Sequence, residues 1–249
     1  MAFNGGNGAD QIWKDDTWHE NGGAPIYGNA SIIAIGGRIG QVFGGSDTKG
    51  DVSGTSTVHL MGKGDWDDSG YAQTCPLQIT NSYGAGRGAA VKGDINFIIS
   101  GCTGSDEIEN VFGGSFDADV RGSITLTITS GIFTQVYGGN DHGGSIGGDI
   151  TVNIEETEGC NPIVIQHLYG GGREAAYPGS NAKKIARDEY GAVILDAKGD
   201  TTYVDVTSGN ITVNVKSATR IDNVYGGCFR AQVQGNTAVN INMIKGSWV

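Results

Sequence analysis

An aromatic residue followed by two small ones recurs six times in this chain, and that recurrence limits its possible folds more than any other feature. The copies are Phe43-Gly44-Gly45, Tyr83-Gly84-Ala85, Phe112-Gly113-Gly114, Tyr137-Gly138-Gly139, Tyr169-Gly170-Gly171 and Tyr225-Gly226-Gly227. A degraded seventh copy is expected at Tyr27-Gly28, and FNGGNG near the start reads as the remnant of a preceding one. Consecutive anchors lie 40, 29, 25, 32 and 56 residues apart, so the shortest unit is 25 residues and the others carry insertions. Four residues before the aromatic stands an apolar residue: Ile39, Ile79, Ile108, Phe133, Ile165, Ile221. Two before it stands an amide or a histidine: Gln41, Asn81, Asn110, Gln135, His167, Asn223. Eight or nine after it comes Val52, Val91, Val120, Ile146 or Val233, with a glycine two positions further on. An alternating run follows, such as Ile124-Thr125-Leu126-Thr127-Ile128.

Such runs have period two and β-branched residues, the pattern of strands with one buried face. Each unit therefore reads as three short strands joined by glycine corners, which suits one turn of a parallel β-helix. Equivalent strands would pair about 4.8 Å apart and bring like residues over like. Glycines at fixed offsets would supply the backbone angles of the corners. The expected fold is all-β, a parallel β-solenoid with right-handed coiling and about six or seven coils. Residues 1–26 form an N-terminal segment and 27–249 the solenoid, with insertions at about 61–76 and 172–208. A β-sandwich also has short, regularly spaced strands, but it would not repeat an amide at one offset in every unit.

The composition agrees with such a rod. Glycine contributes 44 of 249 residues, far above the usual share of about 7%. Proline is scarce at four, and hydrophobic residues reach 38%, enough for a core. The net charge of -11 argues against nucleic acid, whose phosphates need clustered cations. No apolar run approaches the roughly 18 residues of a membrane span. The first residues lack the basic and apolar regions of a secretory signal. The last ones, INMIKGSWV, align with the approach to a further repeat. A segment of a longer solenoid, or a subunit stacking end to end, is expected.

The motif VYGG followed by AxVxGNTxVxI, at 224–227 and 231–241, resembles the glycine-rich β-solenoid repeats of large bacterial surface proteins and adhesins. The resemblance extends from about residue 27 onward. It implies an extracellular or cell-surface, elongated setting and is weak for any activity.

Function on a repeat scaffold is expected where the repeat is broken. The 172–208 insertion carries Arg173, Lys183, Lys184, Arg187 and Lys198, five of the 16 basic residues. They read as a contact surface for an acidic glycan or a partner protein, against a bland reading as a solvated loop. Within it, NAKKIARDEY reads as a short helix capped by Asn181. In the other insertion, Trp66 and Tyr71 offer stacking faces for a sugar, and Asp65, Asp67 and Asp68 are candidate calcium ligands. Their spacing departs from an EF-hand loop, so an ordinary acidic turn competes with both. No other cofactor is expected.

The aromatic series Phe43, Tyr83, Phe112, Tyr137, Tyr169 and Tyr225 admits two orientations. Facing inward it is a core stack, the favoured role; facing outward it is a ribbon for a polysaccharide. The adjacent Val42, Val111, Val136 and Val224 also call for burial, so a bend must separate the two positions. The amides at Gln41, Asn81, Asn110, Gln135 and Asn223 read as a hydrogen-bonded ladder, with His167 in the same structural position. Of four cysteines, Cys75 and Cys102 occupy similar positions in adjacent units and are a candidate disulfide. Cys160 falls two layers away, outside bonding range of that pair.

Catalysis is not expected. A hydrolase needs two carboxylates flanking a sugar-sized groove, and no such pair, and no Ser-His-Asp set, is singled out by spacing. The chain reads as a non-catalytic segment of an adhesin or rigid surface stalk, binding glycan or a surface protein. The alternative is a tailspike-like β-helix that recognises or cleaves polysaccharide as a lyase or hydrolase.

Overall fold

A computed structural model describes residues 1–6, 11–20, 23–61, 77–101, 107–158, 160 and 162–243. Among these, all regular structure is β. Two parallel sheets of seven strands each dominate. The first holds Ala2–Phe3, Gly37–Phe43, Leu77–Tyr83, Glu107–Phe112, Gly131–Tyr137, Ile163–Tyr169 and Arg220–Tyr225. The second holds Ala30–Ala34, Ser56–Met61, Ile95–Ser100, Ile124–Ile128, Ile150–Glu155, Gly209–Ser217 and Gly235–Ile241. The chain visits the sheets alternately, and each strand pairs with the one from the preceding unit. A third line of single bridges, Ile26 to Val52 to Val91 to Val120 to Ile146, runs between them.

Register explains why fixed offsets recur. Pairings such as Ile39 with Ile79, Gln41 with Asn81 and Phe43 with Tyr83 place equal positions side by side. The same triplets continue through Ile108, Asn110 and Phe112 to Ile165, His167 and Tyr169. In the second sheet, Ile124, Leu126 and Ile128 sit between Ile95, Phe97, Ile99 and Ile150, Val152, Ile154. All nine side chains are at most 3% exposed. Burying each such side chain stabilises by about 1.5–3 kcal/mol.

The conflict between neighbouring apolar positions is resolved by two separate cores. In the first sheet the pairing passes over Gly40, Thr80, Glu109, Thr134, Gln166 and Asp222, which shifts the alternation by one residue. Val42, Val111, Val136 and Leu168 then join the main core, while the next residue of each strand enters a second cluster. That cluster is a continuous stack of rings: Phe3, Phe43, Tyr83, Phe112, Tyr137, Tyr169 and Tyr225. Successive centroids are 4.6 to 5.0 Å apart and planes deviate by 2° to 10°. The strand spacing imposes the ring spacing. The seventh ring is Phe3, paired in register with Phe43. Tyr27, the expected degraded copy, is instead 88% exposed.

The segment after each aromatic covers this stack. Phe116 packs edge-on against Tyr83, and Phe229 against Tyr169. Four positions after successive aromatics, Asp47 pairs with Arg87, and Asp141 with Arg173. One position further, His142 and Arg230 flank Glu174 at 3.2 and 3.9 Å. Charge pairing between layers thus closes the second core.

Glycine supplies positive φ at Gly50, Gly144, Gly179 and Gly235, as expected, but does a different job at the corner after each aromatic. The glycines directly after the aromatics have no positive φ. They are needed because a Cβ on Gly84, Gly113 or Gly138 would stand 2.1 to 2.2 Å from a carbonyl oxygen of the next layer. Close approach, not backbone angle, selects them.

Candidate binding cleft

The longest interval between anchors does not depart from the repeat until after Gly179. Arg173 and Glu174 make the usual interlayer bonds, their amides donating to the Asn140 and Asp141 carbonyls. Tyr177, eight residues after Tyr169, occupies the valine position and bridges to Val233. The excursion that follows, 180–208, is a β-arm and not the expected helix. Asn181 has φ 58°, and Lys183–Ile185 pairs antiparallel with Tyr203–Asp205. Two tight turns shape the rest, each with an aspartate at its start. Asp188 Oδ1 accepts from the amides of Tyr190 and Ala192, and Asp196 Oδ1 from those of Lys198 and Asp200. Gly191 and Gly199 take φ of 83° and 85°, angles that favour glycine. Three backbone bonds then tie the passes into a ring: Ala186 N to Thr202 O, Ile194 N to Ala186 O, and Thr202 N to Ile194 O, at 2.9 to 3.0 Å.

The arm leans back over the corners that precede the second sheet and encloses a cleft of about 710 Å³. Its floor is the row Gly54, Gly93, Gly122 and Gly148. Here too each Cβ would collide with the adjacent layer, at 2.2 to 2.5 Å, three of them with the side chains of Asn29, Asp94 and Ser123. The facing wall includes Val193, Ile194 and Val204, which are 39 to 44% exposed. Lys92, Arg121, Lys184 and Arg187 line the cleft, with Asp94 the one lining carboxylate. A chain of net charge -11 therefore carries a locally basic recess.

Arg121 is the most constrained of these cations. Its Nη2 lies 2.8 Å from Asp119 Oδ2, and its guanidinium carbon is 5.8 Å from the Tyr203 ring centroid. Its Nη1 is buried without a hydrogen-bond partner. A buried donor left unpaired is costly in a folded protein. Arg187 donates from Nη1 to Gly191 O at 2.8 Å, while Lys184 has no ion-pair partner among the described residues. Asp94 Oδ1 is occupied by the Ser123 amide at 2.8 Å.

Of the basic residues expected to form one surface, Lys184 and Arg187 reach the cleft and the others do not. Lys183 sits 3.5 Å from Asp205 across the arm, and Lys198 lies on the second turn. Arg173, with a third of its side chain exposed, turns towards the second core. Its Nε is 2.7 Å from Asp141 Oδ1 and its guanidinium lies 5.4 Å from the Phe112 ring centroid. Asp141, 1% exposed, also accepts a 2.9 Å bond from the Tyr83 hydroxyl. Burial pushes its carboxyl above the usual value, and the Arg173 charge opposes that shift.

Sequence reasoning missed Lys92 and Arg121, although a signal existed. In consecutive units the residue between the valine and the corner glycine is Lys92 and then Arg121, and one strand spacing separates them. Trp66, Tyr71, Asp65, Asp67 and Asp68 lie outside the described residues, as does the Cys75–Cys102 pair. Cys160, excluded from bonding range on layer spacing, is disulfide-bonded to a partner outside the described residues. Cys228 is a free thiol, and burial raises its pKa. Among the described residues, no group of three or more His, Cys, Asp or Glu is placed to hold a metal ion.

The expected amide ladder is only partly bonded: among the described residues, no side-chain bond joins Gln41 to Asn81 or Asn110 to Gln135, whose Oε1 accepts from the Tyr137 hydroxyl instead. Asn110 Nδ2 donates to Asn81 Oδ1 at 2.9 Å, and Asn223 Nδ2 lies 3.2 Å from His167 Nδ1. A second ladder, Asn153, Asn214 and Asn240, joins the other sheet through two bonds of 2.9 Å. The spacing of Asn153 and Asn240 within their alternating runs was the available signal.

No family model, curated protein or solved structure matches the chain.

Proposed function

We propose that the chain is a right-handed β-solenoid segment of the glycine-rich surface-protein type, serving as a non-catalytic adhesin or stalk that binds glycan at the arm. The observation that carries this reading is the arm itself. It leaves the stacked layers without interrupting either sheet and turns back to enclose a recess. A parallel arrangement in which the chain alternates between two sheets and one line of bridges supports a helical winding. Crossovers between parallel strands are overwhelmingly right-handed. In-register aromatic and amide ladders give such a rod stiffness and leave its outer faces free for contact. The disulfide at Cys160 supports an oxidising, extracellular compartment.

Glycan-array binding of the purified chain tests the reading, beside a variant with 183–205 replaced by a short Gly-Ser link. Arm-dependent retention, with the bound polymer recovered at its original length, supports an adhesin. Shortening of the polymer would establish an enzyme and overturn the proposal. Binding that survives removal of the arm would displace the site from the cleft.

A further inference from the structure

We infer that the cleft beneath the arm takes an anionic oligosaccharide, lying along the row of corner glycines with an acidic substituent on Arg121. This inference rests on the glycan-binding reading above and names the ligand class of that site.

Shape comes first. The cleft volume of about 710 Å³ falls within the roughly 300–1,000 Å³ common for ligand sites. Its floor is the row Gly54, Gly93, Gly122 and Gly148, interleaved with the polar side chains of Asn29, Asp94 and Ser123, which offer hydrogen-bonding groups to sugar hydroxyls. The floor repeats with the strand spacing of about 4.8 Å, which suits a polymer with a repeating unit better than a compact ligand. Exposed Val193, Ile194 and Val204 offer an apolar wall to the C–H faces of pyranose rings.

Charge fixes the class. Four cations and one carboxylate line the recess; Lys92 and Arg121 are paired with Asp51 and Asp119, while Lys184 and Arg187 have no carboxylate partner among the described residues. The planar Arg121 guanidinium is held on one side by Asp119, and the side chain keeps 21% of its surface exposed. An incoming carboxylate or sulfate would meet the exposed edge of the side chain, and guanidinium donors match the oxygens of either group. Lys184, on the opposite wall, adds a second positive contact. Nucleic acid is a poor occupant, because phosphate at the cleft would bring a long anionic polymer against an otherwise acidic surface.

Calorimetric titration of the full chain with three oligosaccharides of equal length tests the assignment: an oligogalacturonate, a heparin oligosaccharide and a neutral cello-oligosaccharide. At least one anionic probe should bind, the neutral one should not, and added salt should weaken the interaction. Arg121→Gln and Lys184→Gln should each lower affinity by about tenfold or more, with Lys198→Gln, outside the cleft, leaving it unchanged. Lys184 projects from the arm, so its variant keeps the test valid if loss of Arg121 disturbs folding. Binding of oligogalacturonate alone identifies a uronate ligand, and of heparin alone a sulfated one. Equal binding of the neutral probe, equal loss in all three variants, or no binding of either anionic probe would overturn the inference. Arm-dependent retention of neutral glycans on the array would sink this assignment while leaving the adhesin reading intact. Cleavage of a bound anionic polymer would do the reverse.

Discussion

Substitution of Gly113 by alanine tests directly whether close approach between layers selects the repeat's glycines. A Cβ at Gly113 would lie 2.2 Å from Gly138 O and 2.9 Å from Ile124 Cγ2. The first distance is 0.8 Å short of the 3.0 Å below which real Cβ contacts essentially never occur. Relief requires moving a backbone carbonyl, because no flexible side-chain end is in the way. Overpacking of this kind costs about 1–3 kcal/mol. The movement also strains the bonds on either side, Gly113 N to Tyr137 O at 2.8 Å and Gly114 N to Gly139 O at 3.1 Å. At about 0.5–1.5 kcal/mol each, the two losses bring the expected destabilisation to about 2–6 kcal/mol. Two controls separate space from backbone angle. Gly40 has open space around its Cβ position and no positive φ, so Gly40→Ala should stabilise by about 0.4–1 kcal/mol. Gly37 has open space but φ of 98°, so alanine there should cost about 1–2 kcal/mol. Equilibrium urea unfolding, followed by circular dichroism and tyrosine fluorescence, reads all three from the shift in midpoint at constant slope. A Gly113→Ala cost within about 1 kcal/mol of the Gly40→Ala value would refute the reasoning. A Gly37→Ala cost exceeding that of Gly113→Ala would return backbone angle to first place.

Three further outcomes follow from the buried polar groups. Burial raises the hydroxyl pKa of Tyr83, Tyr137 and Tyr177, that of Tyr137 to about 12. Their contribution to stability is complete below the ordinary value of 10.0 and is lost as pH rises above it. Each tyrosine adds a slope of up to about 1.4 kcal/mol per pH unit. The tyrosinate absorbance of these three, read as the difference from the Tyr83→Phe, Tyr137→Phe and Tyr177→Phe variants, should appear only together with the loss of circular dichroism; its appearance with the fold intact would contradict this. Arg173→Met should strip Asp141 of its cation and destabilise by about 2–4 kcal/mol near neutral pH. Because the folded-state pKa of Asp141 lies above its unfolded value, the loss should shrink as pH falls and the carboxyl takes up a proton. An urea series showing a loss independent of pH would mean that Asp141 stays ionised. Peptide mapping without reduction should find Cys160 cross-linked and Cys228 alkylated, and the opposite pattern would exclude the disulfide.

Much of the fold was legible because in-register stacking turns a fixed sequence offset into a contact. Gln41, Asn81 and Asn110 share an offset, and the parallel register carries them side by side. The second core was harder to see. Val42 and Phe43 are adjacent, and strict alternation cannot bury both; the shift of pairing at Gly40 does so. No residue type in that position announces the bend, which falls on glycine, threonine, glutamate, glutamine or aspartate. The arm was misread for a physical reason as well. Its alanines, lysines and arginine favour helix locally, but the aspartate-to-glycine turns at 188–191 and 196–199 set the chain's direction. The cleft was illegible as a unit because its cations come from the arm and from two repeat layers.

The point at which the arm leaves the repeat explains how the stack tolerates it. Apart from the two-residue strand Ala2–Phe3, each sheet is held by five or more paired residues per strand, whereas the line between the sheets is held by one bridge per layer. An excursion between the sheet strands therefore disturbs the fewest bonds if it starts at that line. Tyr177 secures the departure. It replaces the valine of other units, its hydroxyl donates to Gly148 O at 2.9 Å, and Asn210 O lies 3.2 Å away. Those two carbonyls belong to the corner before the excursion and to the strand after it, so one side chain bridges the gap in sequence. Space for the ring comes from Gly209, where a Cβ would stand 2.1 Å from the hydroxyl oxygen. The same glycine corners that must stay bare for the layers to approach one another form the floor beneath the arm. Close packing of the layers and the shape of the cleft floor thus rest on the same glycines, and a side chain added there would push the layers apart.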